Sequence, residues 1–191
     1  MVTTRNTRDD VVSAAGRLFA DRGYHGTSMR DLGRELGLLG SSLYSHVSSK
    51  QDLLVEVVEE GARLFEVSAE QALATPGPAS DRLDALIAGH VDVVIDNIDV
   101  ARTVLNEARM LDAEHRSRVV DARDHYENAF RSVIRQGMGD GSFGPDIDPK
   151  TASIFILSIL NAIERWYRTD GELDRDALVG ELSRFTRAAL S

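Results

Sequence analysis

The sequence predicts an all-α protein of about nine helices. Apolar residues recur at the spacing of amphipathic helices along nearly the whole chain. The alternation of apolar and polar residues that is typical of strands is almost absent. With 191 residues, 42% of them hydrophobic, the chain is long and apolar enough to bury a core in one or two domains.

Three helices are predicted within the first fifty residues. An apolar stripe marks the first over about residues 7–22, and Gly23 follows it in the position of a helix-ending glycine. Thr27 is placed as the N-cap of a second, short helix. Gly37 then separates this helix from a third, which is predicted near residues 40–47.

Six further helices are predicted after residue 48. Ser49 and Asp174 stand in N-cap positions, and Asp148 does so directly before Pro149, which suits the first turn of a helix. The sequence Thr-Pro-Gly-Pro at residues 75–78 is the clearest break in the chain. The six predicted helices cover about residues 49–73, 83–94, 100–110, 112–137, 149–168 and 174–190.

The three N-terminal helices have the spacing of a helix-turn-helix motif, in which one helix supports a second that enters the DNA major groove. Leu43 is expected to pack the third helix against the second, so that small or hydrogen-bonding groups face outwards. Thr27 and Arg30 open the second helix and Lys50 the fourth, where they could hold phosphates. The candidate DNA-binding residues are Thr27, Arg30, Gly40, Ser41, Ser42, Tyr44, Ser45, His46 and Lys50.

Each of these residues, taken alone, is equally well explained as an ordinary surface or core side chain. Their combination at these spacings favours DNA binding. The charge distribution agrees, because residues 1–50 carry seven Lys and Arg against five Asp and Glu. The remaining residues carry 15 Lys and Arg against 26 Asp and Glu, and the whole chain has a net charge of -9.

A larger set of residues carries a resemblance to a known family. Over residues 7–54 the set consists of Phe19, Gly23, Tyr24, Thr27, Arg30, Asp31, Leu32, Gly37, Leu43, Tyr44, Ser45, His46, Lys50, Leu53 and Leu54. It resembles the DNA-binding domain of the TetR family of transcriptional regulators. The resemblance implies a helix-turn-helix domain over residues 1–54 and an all-α effector-binding and dimerisation domain over residues 55–191. It further implies a homodimer that binds a palindromic DNA operator, with two recognition helices about 34–36 Å apart.

The last two helices are candidates for a dimer interface. Apolar residues cover almost every side of the helix predicted over 149–168, and a helix that is apolar all round must be buried all round. A second subunit could supply one of the covering faces, giving a symmetric four-helix interface. A central helix buried within a monomer is the alternative. The candidate interface residues are Phe155, Ile159, Leu178, Leu182 and Phe185.

The segment Glu164-Arg165-Trp166-Tyr167-Arg168 places cations and aromatic rings together at the end of an apolar helix. With Glu107-Ala108-Arg109, it resembles a TetR branch that responds to acyl-CoA thioesters, including regulators of fatty-acid and sterol-ring breakdown. Arginines suit phosphates, and a tryptophan suits an adenine ring. The candidate effector-binding residues are Arg102, Asn106, Arg109, Arg165 and Trp166. The alternative is that Arg165 and Arg168 cap carbonyls and pair with nearby acids.

The remaining chemistry predicts neither an enzyme nor a cofactor. The chain has no cysteine, no catalytic motif can be assigned, and Asp112 with His115 is more simply a solvated pair than a metal site. The polar N-terminus and the lack of a long apolar run predict a cytoplasmic protein that does not cross a membrane. Two alternatives stay open: a regulator of an efflux pump with a broad apolar pocket, and a small helical enzyme or ligand carrier.

Overall fold

The computed structural model describes residues 7–38, 43–45 and 47–191, and it confirms the all-α class. The described residues form eight α-helices and one 3-10 turn, with no strand. The predicted helix near residues 40–47 lies mostly outside the described residues. The helices are α1 (Arg8–Gly26), α2 (Met29–Glu35), α3 (Lys50–Leu73), α4 (Ala79–Asp96), α5 (Ile98–Glu107), α6 (Ala113–Asp140), α7 (Pro149–Trp166) and α8 (Arg175–Ala189), and the 3-10 turn is Ala108–Met110.

Several predicted helix starts are confirmed by their hydrogen bonds. The Ser49 hydroxyl accepts from the Asp52 amide at 3.0 Å at the start of α3. The carboxylates of Asp148 and Asp174 cap α7 and α8 in the same way, and Pro149 occupies the first turn of α7. These caps satisfy backbone N–H groups that have no partner inside the helix.

The predicted N-cap of α2 is wrong by one residue. Ser28 is the cap, and its side chain forms a reciprocal capping box with Asp31. Thr27 instead is buried, with its hydroxyl 3.1 Å from the Leu18 carbonyl and 3.0 Å from the Gly23 carbonyl. Two capping residues stand side by side in the sequence, and packing decides that one of them turns inward.

The chain forms two compact units, each described here by itself. The first comprises Met1–Ala62 and Asn97–Val120, and the second comprises Arg63–Asp96 and Asp121–Ser191. The predicted functional division into residues 1–54 and 55–191 is a different partition and stays a prediction. No helix in the described part of the chain is long and apolar enough to cross a membrane.

The first unit is built around α1. Phe19, Leu32, Leu43 and Leu54 are fully buried in one apolar cluster that joins α1, α2 and α3. Helix α5 packs on α1, and the Thr103 hydroxyl donates to the Gly16 carbonyl at 3.2 Å. Helix α5 therefore forms part of the scaffold that supports the N-terminal helices.

The second unit is built around α4, against which α7 and α8 both pack. The buried face of α4 includes Leu83, Ile87, Val91 and Val94. Ion pairs hold α8 to α4 at two levels: Arg175 bridges Asp92 and Asp96, and Arg187 pairs with Asp84. These pairs are partly exposed, so burial of the apolar faces contributes most of the stability of this unit.

Candidate DNA-binding surface and effector region

The described part of the helix-turn-helix presents one polar and one apolar face. Leu43 and Val47 are buried, whereas Tyr44, with 56% of its surface exposed, and Ser45 face outwards. Arg30 on α2 is also exposed. This is the orientation that contact with a DNA groove requires. Four other candidates, Gly40, Ser41, Ser42 and His46, lie outside the described residues.

The Thr27 side chain lies in the core. Its hydroxyl is turned towards two carbonyls of α1, so that only the backbone of Thr27 is left for the predicted phosphate contact, which stays a prediction. The buried hydroxyl would be costly without these acceptors. The Thr27 side chain therefore anchors the segment between α1 and α2 to α1, and only its backbone lies at the surface before the start of α2.

Lys50 has structural partners that the sequence did not predict. Its Nζ donates to the Tyr24 carbonyl at 2.8 Å and to the Thr27 carbonyl at 2.9 Å. The same ammonium group lies 4.0 Å from the centre of the Tyr24 ring, a cation–π contact. An ammonium group has three N–H donors, so one remains for a further acceptor such as a phosphate.

Tyr24 is held by residues distant in the sequence. Gly23 has a φ of 72° and interrupts α1 just before it. The Tyr24 amide donates to Glu107 Oε2 of α5 at 3.1 Å, and its hydroxyl donates to Gln51 Oε1 of α3 at 2.8 Å. In the sequence, Glu107 belongs only to the segment that carries the effector resemblance. No sequence pattern pairs it with Tyr24, because the two are 83 residues apart.

The predicted effector residues fall into both units. Arg165 and Trp166 are neighbours at the end of α7 in the second unit and both are exposed, Trp166 by 51%. The Arg165 Nε donates a hydrogen bond to the buried carboxylate of Glu164 at 3.2 Å. This contact agrees with the alternative explanation of Arg165, that it pairs with a nearby acid. In the first unit, Asn106 donates to the Arg102 carbonyl at 3.0 Å within α5, and Arg109 is exposed in the 3-10 turn.

The second unit also contains an aromatic cluster around a buried histidine. The His90 ring of α4 lies 4.9 Å from the ring of Phe65 and 5.9 Å from that of Tyr126, which in turn contacts Phe130. The His90 Nδ1 is 3.1 Å from the Tyr126 hydroxyl. Its Nε2 is buried and has no hydrogen-bond partner among the described residues. A buried polar group without a partner costs about 1–3 kcal/mol.

Comparison with known proteins identifies the family. Residues 11–57 match the sequence profile of the bacterial regulatory proteins of the tetR family, and residues 76–190 match that of the tetracyclin repressor-like C-terminal domain. The chain belongs to the TetR family of transcriptional regulators. The proteins of this family are DNA-binding regulators and not enzymes.

Individual relatives match the TetR chain along most of its length. The HTH-type transcriptional repressor KstR2 of Mycolicibacterium smegmatis is 27% identical over 170 residues, which cover 88% of this chain and 83% of KstR2. The crystal structure of the TetR regulator PfmR from Thermus thermophilus has a TM-score of 0.87 at 28% identity, over 95% and 98% of the two chains. AibR, solved in complex with isovaleryl coenzyme A and operator DNA, has the same fold, with a TM-score of 0.83 at 23% identity over 96% and 97%.

TetR regulators dimerise, and the second unit of this chain carries large apolar side chains that are exposed in the single chain. Phe155 and Ile159 of α7 are 64% and 38% exposed, and Phe185 of α8 is 60% exposed. Leu178 and Leu182, also predicted for the interface, are only 2% and 9% exposed. These two are buried on α8, which packs on α4, so they stabilise the single chain, and their predicted place in the interface stays a prediction.

The alternative, that α7 is a central helix buried on all sides within one chain, is wrong. Only the face with Ser153, Ile156, Leu160, Ile163 and Glu164 is buried in the single chain.

Asp112 and His115 hydrogen-bond to each other at the start of α6. Among the described residues, no group of His, Asp and Glu is arranged to hold a metal ion.

The buried histidine of this TetR chain makes its stability depend on pH. Burial lowers the pKa of His90 from 6.5 to about 3. Below pH 6.5 the unfolded chain therefore binds a proton that the folded chain does not, and the free energy of unfolding falls until the pH reaches about 3. This group should remove about 1.4 kcal/mol between pH 7.5 and 5.5, a range in which ordinary carboxyl groups hardly titrate.

Urea unfolding of the wild type and of His90→Gln at the two pH values measures this contribution. Between pH 7.5 and 5.5, the free energy of unfolding should fall by about 1.4 kcal/mol less in His90→Gln than in the wild type. The exposed His125, changed to Gln, is the matched control and should behave like the wild type. An equal loss in the wild type and in His90→Gln would contradict the prediction.

Proposed function

We propose that the protein is a ligand-responsive transcriptional repressor that acts in the cytoplasm as a homodimer on a palindromic DNA operator. We propose further that an acyl-CoA thioester releases it from this operator. The observation that carries the DNA-binding role is the outward face of the helix-turn-helix, with Tyr44 and Ser45 exposed while Leu43 and Val47 are buried beneath them.

The proposed DNA contacts divide into base-reading and phosphate-holding groups. Tyr44 and Ser45 belong to the first group, together with Gly40, Ser41, Ser42 and His46. Arg30 belongs to the second, because it is exposed in the first turn of α2. Lys50 contributes in two ways. Two of its N–H groups donate to the carbonyls of Tyr24 in α1 and of Thr27 just after it, and its third N–H donates to a phosphate.

The effector proposal rests on the end of α7. Trp166 offers an exposed aromatic ring and Arg165 an exposed cation, which suit the adenine and the phosphates of coenzyme A. Phosphates stay near solvent because burying them without a full set of cations is costly. The AibR complex with isovaleryl coenzyme A supports this class of ligand, and Arg102, Asn106 and Arg109 are further proposed contacts.

Release from the operator requires two conformations that differ in their affinity for the effector. A ligand shifts such an equilibrium only by the ratio of its affinities for the two states. We propose that the thioester binds more tightly to a conformation in which the two DNA-binding domains of the dimer no longer match successive major grooves. Operator binding and effector binding then weaken each other by the same factor.

The DNA-binding proposal predicts that Arg30→Ala weakens the hold on the phosphate backbone. The slope of log affinity against log salt concentration should flatten by about one unit for each phosphate that is no longer bound. The measurement is a titration of an operator, selected from random duplex DNA, at several salt concentrations. Arg123→Ala, which removes an exposed arginine of α6, should leave the slope unchanged. An unchanged slope in Arg30→Ala would show that Arg30 does not bind a phosphate.

Lys50→Ala tests the two roles of this lysine in the same assay. The phosphate role predicts a flatter slope, whereas removal of the hydrogen bonds to the carbonyls alone would lower the affinity and leave the slope as it is.

The dimer proposal predicts that Phe155→Asp and Phe185→Asp produce monomers. A carboxylate without a partner is costly to bury in an apolar interface, so the subunits should separate. Operator affinity should then fall on the order of a hundredfold, because the two DNA-binding domains no longer bind as one linked pair. Light scattering measures the mass of the particle. Val120→Asp, at another exposed apolar position, should stay dimeric, and a wild-type monomer at micromolar concentration would refute the proposal.

The effector proposal predicts that Trp166→Leu weakens binding of a CoA thioester about tenfold, since stacking of a base on an aromatic ring contributes about 1–3 kcal/mol. Operator binding without effector should not change. Calorimetry with several CoA thioesters, free coenzyme A and the corresponding free acids measures the effect. If the free acids bind as well as the thioesters, or no thioester binds, the ligand class is wrong and a broad apolar effector of the efflux type is favoured.

A further inference from the structure

Glu107, the last residue of α5, has no part in the DNA contacts proposed above, yet its carboxylate lies across the break in α1. Oε2 accepts a hydrogen bond from the Tyr24 amide at 3.1 Å, and Oε1 lies 3.6 Å from the place where a β-carbon on Gly23 would stand. Because Gly23 has a φ of 72°, the helical conformation of α1 is interrupted just before Tyr24. Another helix therefore supplies the acceptor for the Tyr24 amide.

Tyr24 connects Glu107 to the start of α3. The Tyr24 carbonyl accepts from Lys50 Nζ at 2.8 Å, and the centre of the Tyr24 ring lies 4.0 Å from the same ammonium group. Lys50 is the residue proposed above to donate its third N–H to an operator phosphate. A single residue, Tyr24, thus separates Glu107 of α5 from this phosphate contact.

The 3-10 turn that follows α5 makes a second connection to Tyr24. The Tyr24 hydroxyl donates to Gln51 Oε1 at 2.8 Å, and Gln51 Nε2 donates to the Met110 carbonyl at 3.4 Å. The end of α5 and the turn after it therefore hold Tyr24 at its amide and, through Gln51, at its hydroxyl. These two contacts fix the orientation of the ring beneath the Lys50 ammonium group as well as its position.

We infer that Glu107 is a positioning residue for operator binding, which holds the Tyr24 amide and thereby sets the place of the Lys50 ammonium group. This inference rests on the phosphate contact proposed above for Lys50. A lysine has a long flexible side chain, and a group that is already ordered before binding loses less entropy when it binds. Glu107 acts through Tyr24 and Lys50 and does not itself contact the DNA.

The sign of the effect separates positioning from charge. DNA is a polyanion, so removal of an acid from a DNA-binding protein ordinarily strengthens binding. Removal of a positioning acceptor weakens it. Glu107→Gln removes the charge and keeps a side-chain oxygen that can accept from the Tyr24 amide, whereas Glu107→Ala removes both.

The test measures operator affinity of the full-length wild type and of these two variants, at a temperature well below the unfolding midpoint of each. We expect Glu107→Ala to bind about tenfold more weakly, a size that is common between residues of one hydrogen-bond network. Glu107→Gln should bind at least as tightly as the wild type. Glu107→Asp keeps the charge but withdraws the acceptor by one methylene. It is the second variant if Glu107→Ala does not fold, and it should also bind more weakly than the wild type.

Thr103→Val is the matched control, because it removes another hydrogen bond between α5 and α1. The buried Thr103 hydroxyl donates to the Gly16 carbonyl at 3.2 Å, about two helical turns before Gly23. This variant should lower the midpoint of thermal unfolding and leave the operator affinity of the folded protein unchanged. A merely structural contribution of Glu107 would make Glu107→Ala behave in the same way.

A double-mutant cycle with Lys50→Ala tests the route from Glu107 to the operator. In the Lys50→Ala background the phosphate contact is already lost, so Glu107→Ala should reduce operator affinity clearly less than it does in the wild type. Equal losses in the two backgrounds would show that Glu107 does not act through Lys50.

Two further results would overturn the assignment. If Glu107→Ala binds the operator as tightly as the wild type, or Glu107→Gln binds as weakly as Glu107→Ala, the acceptor role of Glu107 is wrong. The phosphate contact of Lys50 still stands in that case if Lys50→Ala alone flattens the salt slope. If Lys50→Ala leaves the slope unchanged, the proposed phosphate contact fails and this assignment fails with it.

Discussion

The hydrogen bonds around Tyr24 position the DNA-binding helices of this protein. Its amide, carbonyl, ring and hydroxyl are engaged by Glu107, Lys50 and Gln51, at the point where Gly23 breaks α1. The supporting helix α2 begins only a few residues later, so its direction depends on these contacts. Thr27 completes the arrangement from within the core. Each group is polar and at least partly enclosed, and loss of one partner would leave another unsatisfied.

The second unit combines a well-packed core with groups that this core does not explain. Helix α4 is covered by α7 and α8, and ion pairs of Arg175 and Arg187 hold α8 in place. Phe155 of α7 and Phe185 of α8 are exposed in the single chain, and large apolar side chains on the surface of a regulator that dimerises indicate a subunit interface. His90 is the opposite case, a polar ring enclosed in the core among aromatic side chains.

The predictions that succeeded depended on local physics. Amphipathic spacing, capping residues and glycine breaks act within one or two turns, so the all-α class and the starts of α3, α7 and α8 could be predicted from the sequence. The family could also be predicted, because many residues of the helix-turn-helix agree at fixed spacing within about fifty positions.

What only the tertiary structure decided concerns which groups meet. Apolar spacing shows that α8 has an apolar stripe, but not that Leu178 and Leu182 pack on α4 while Phe185 stays exposed. The inward turn of Thr27 and the contact between Tyr24 and Glu107 depend on partners brought together by folding, up to 83 residues apart. His90 reads in the sequence as one of five histidines. Its buried, half-satisfied ring exists because four helices enclose it, and no local pattern encodes that enclosure.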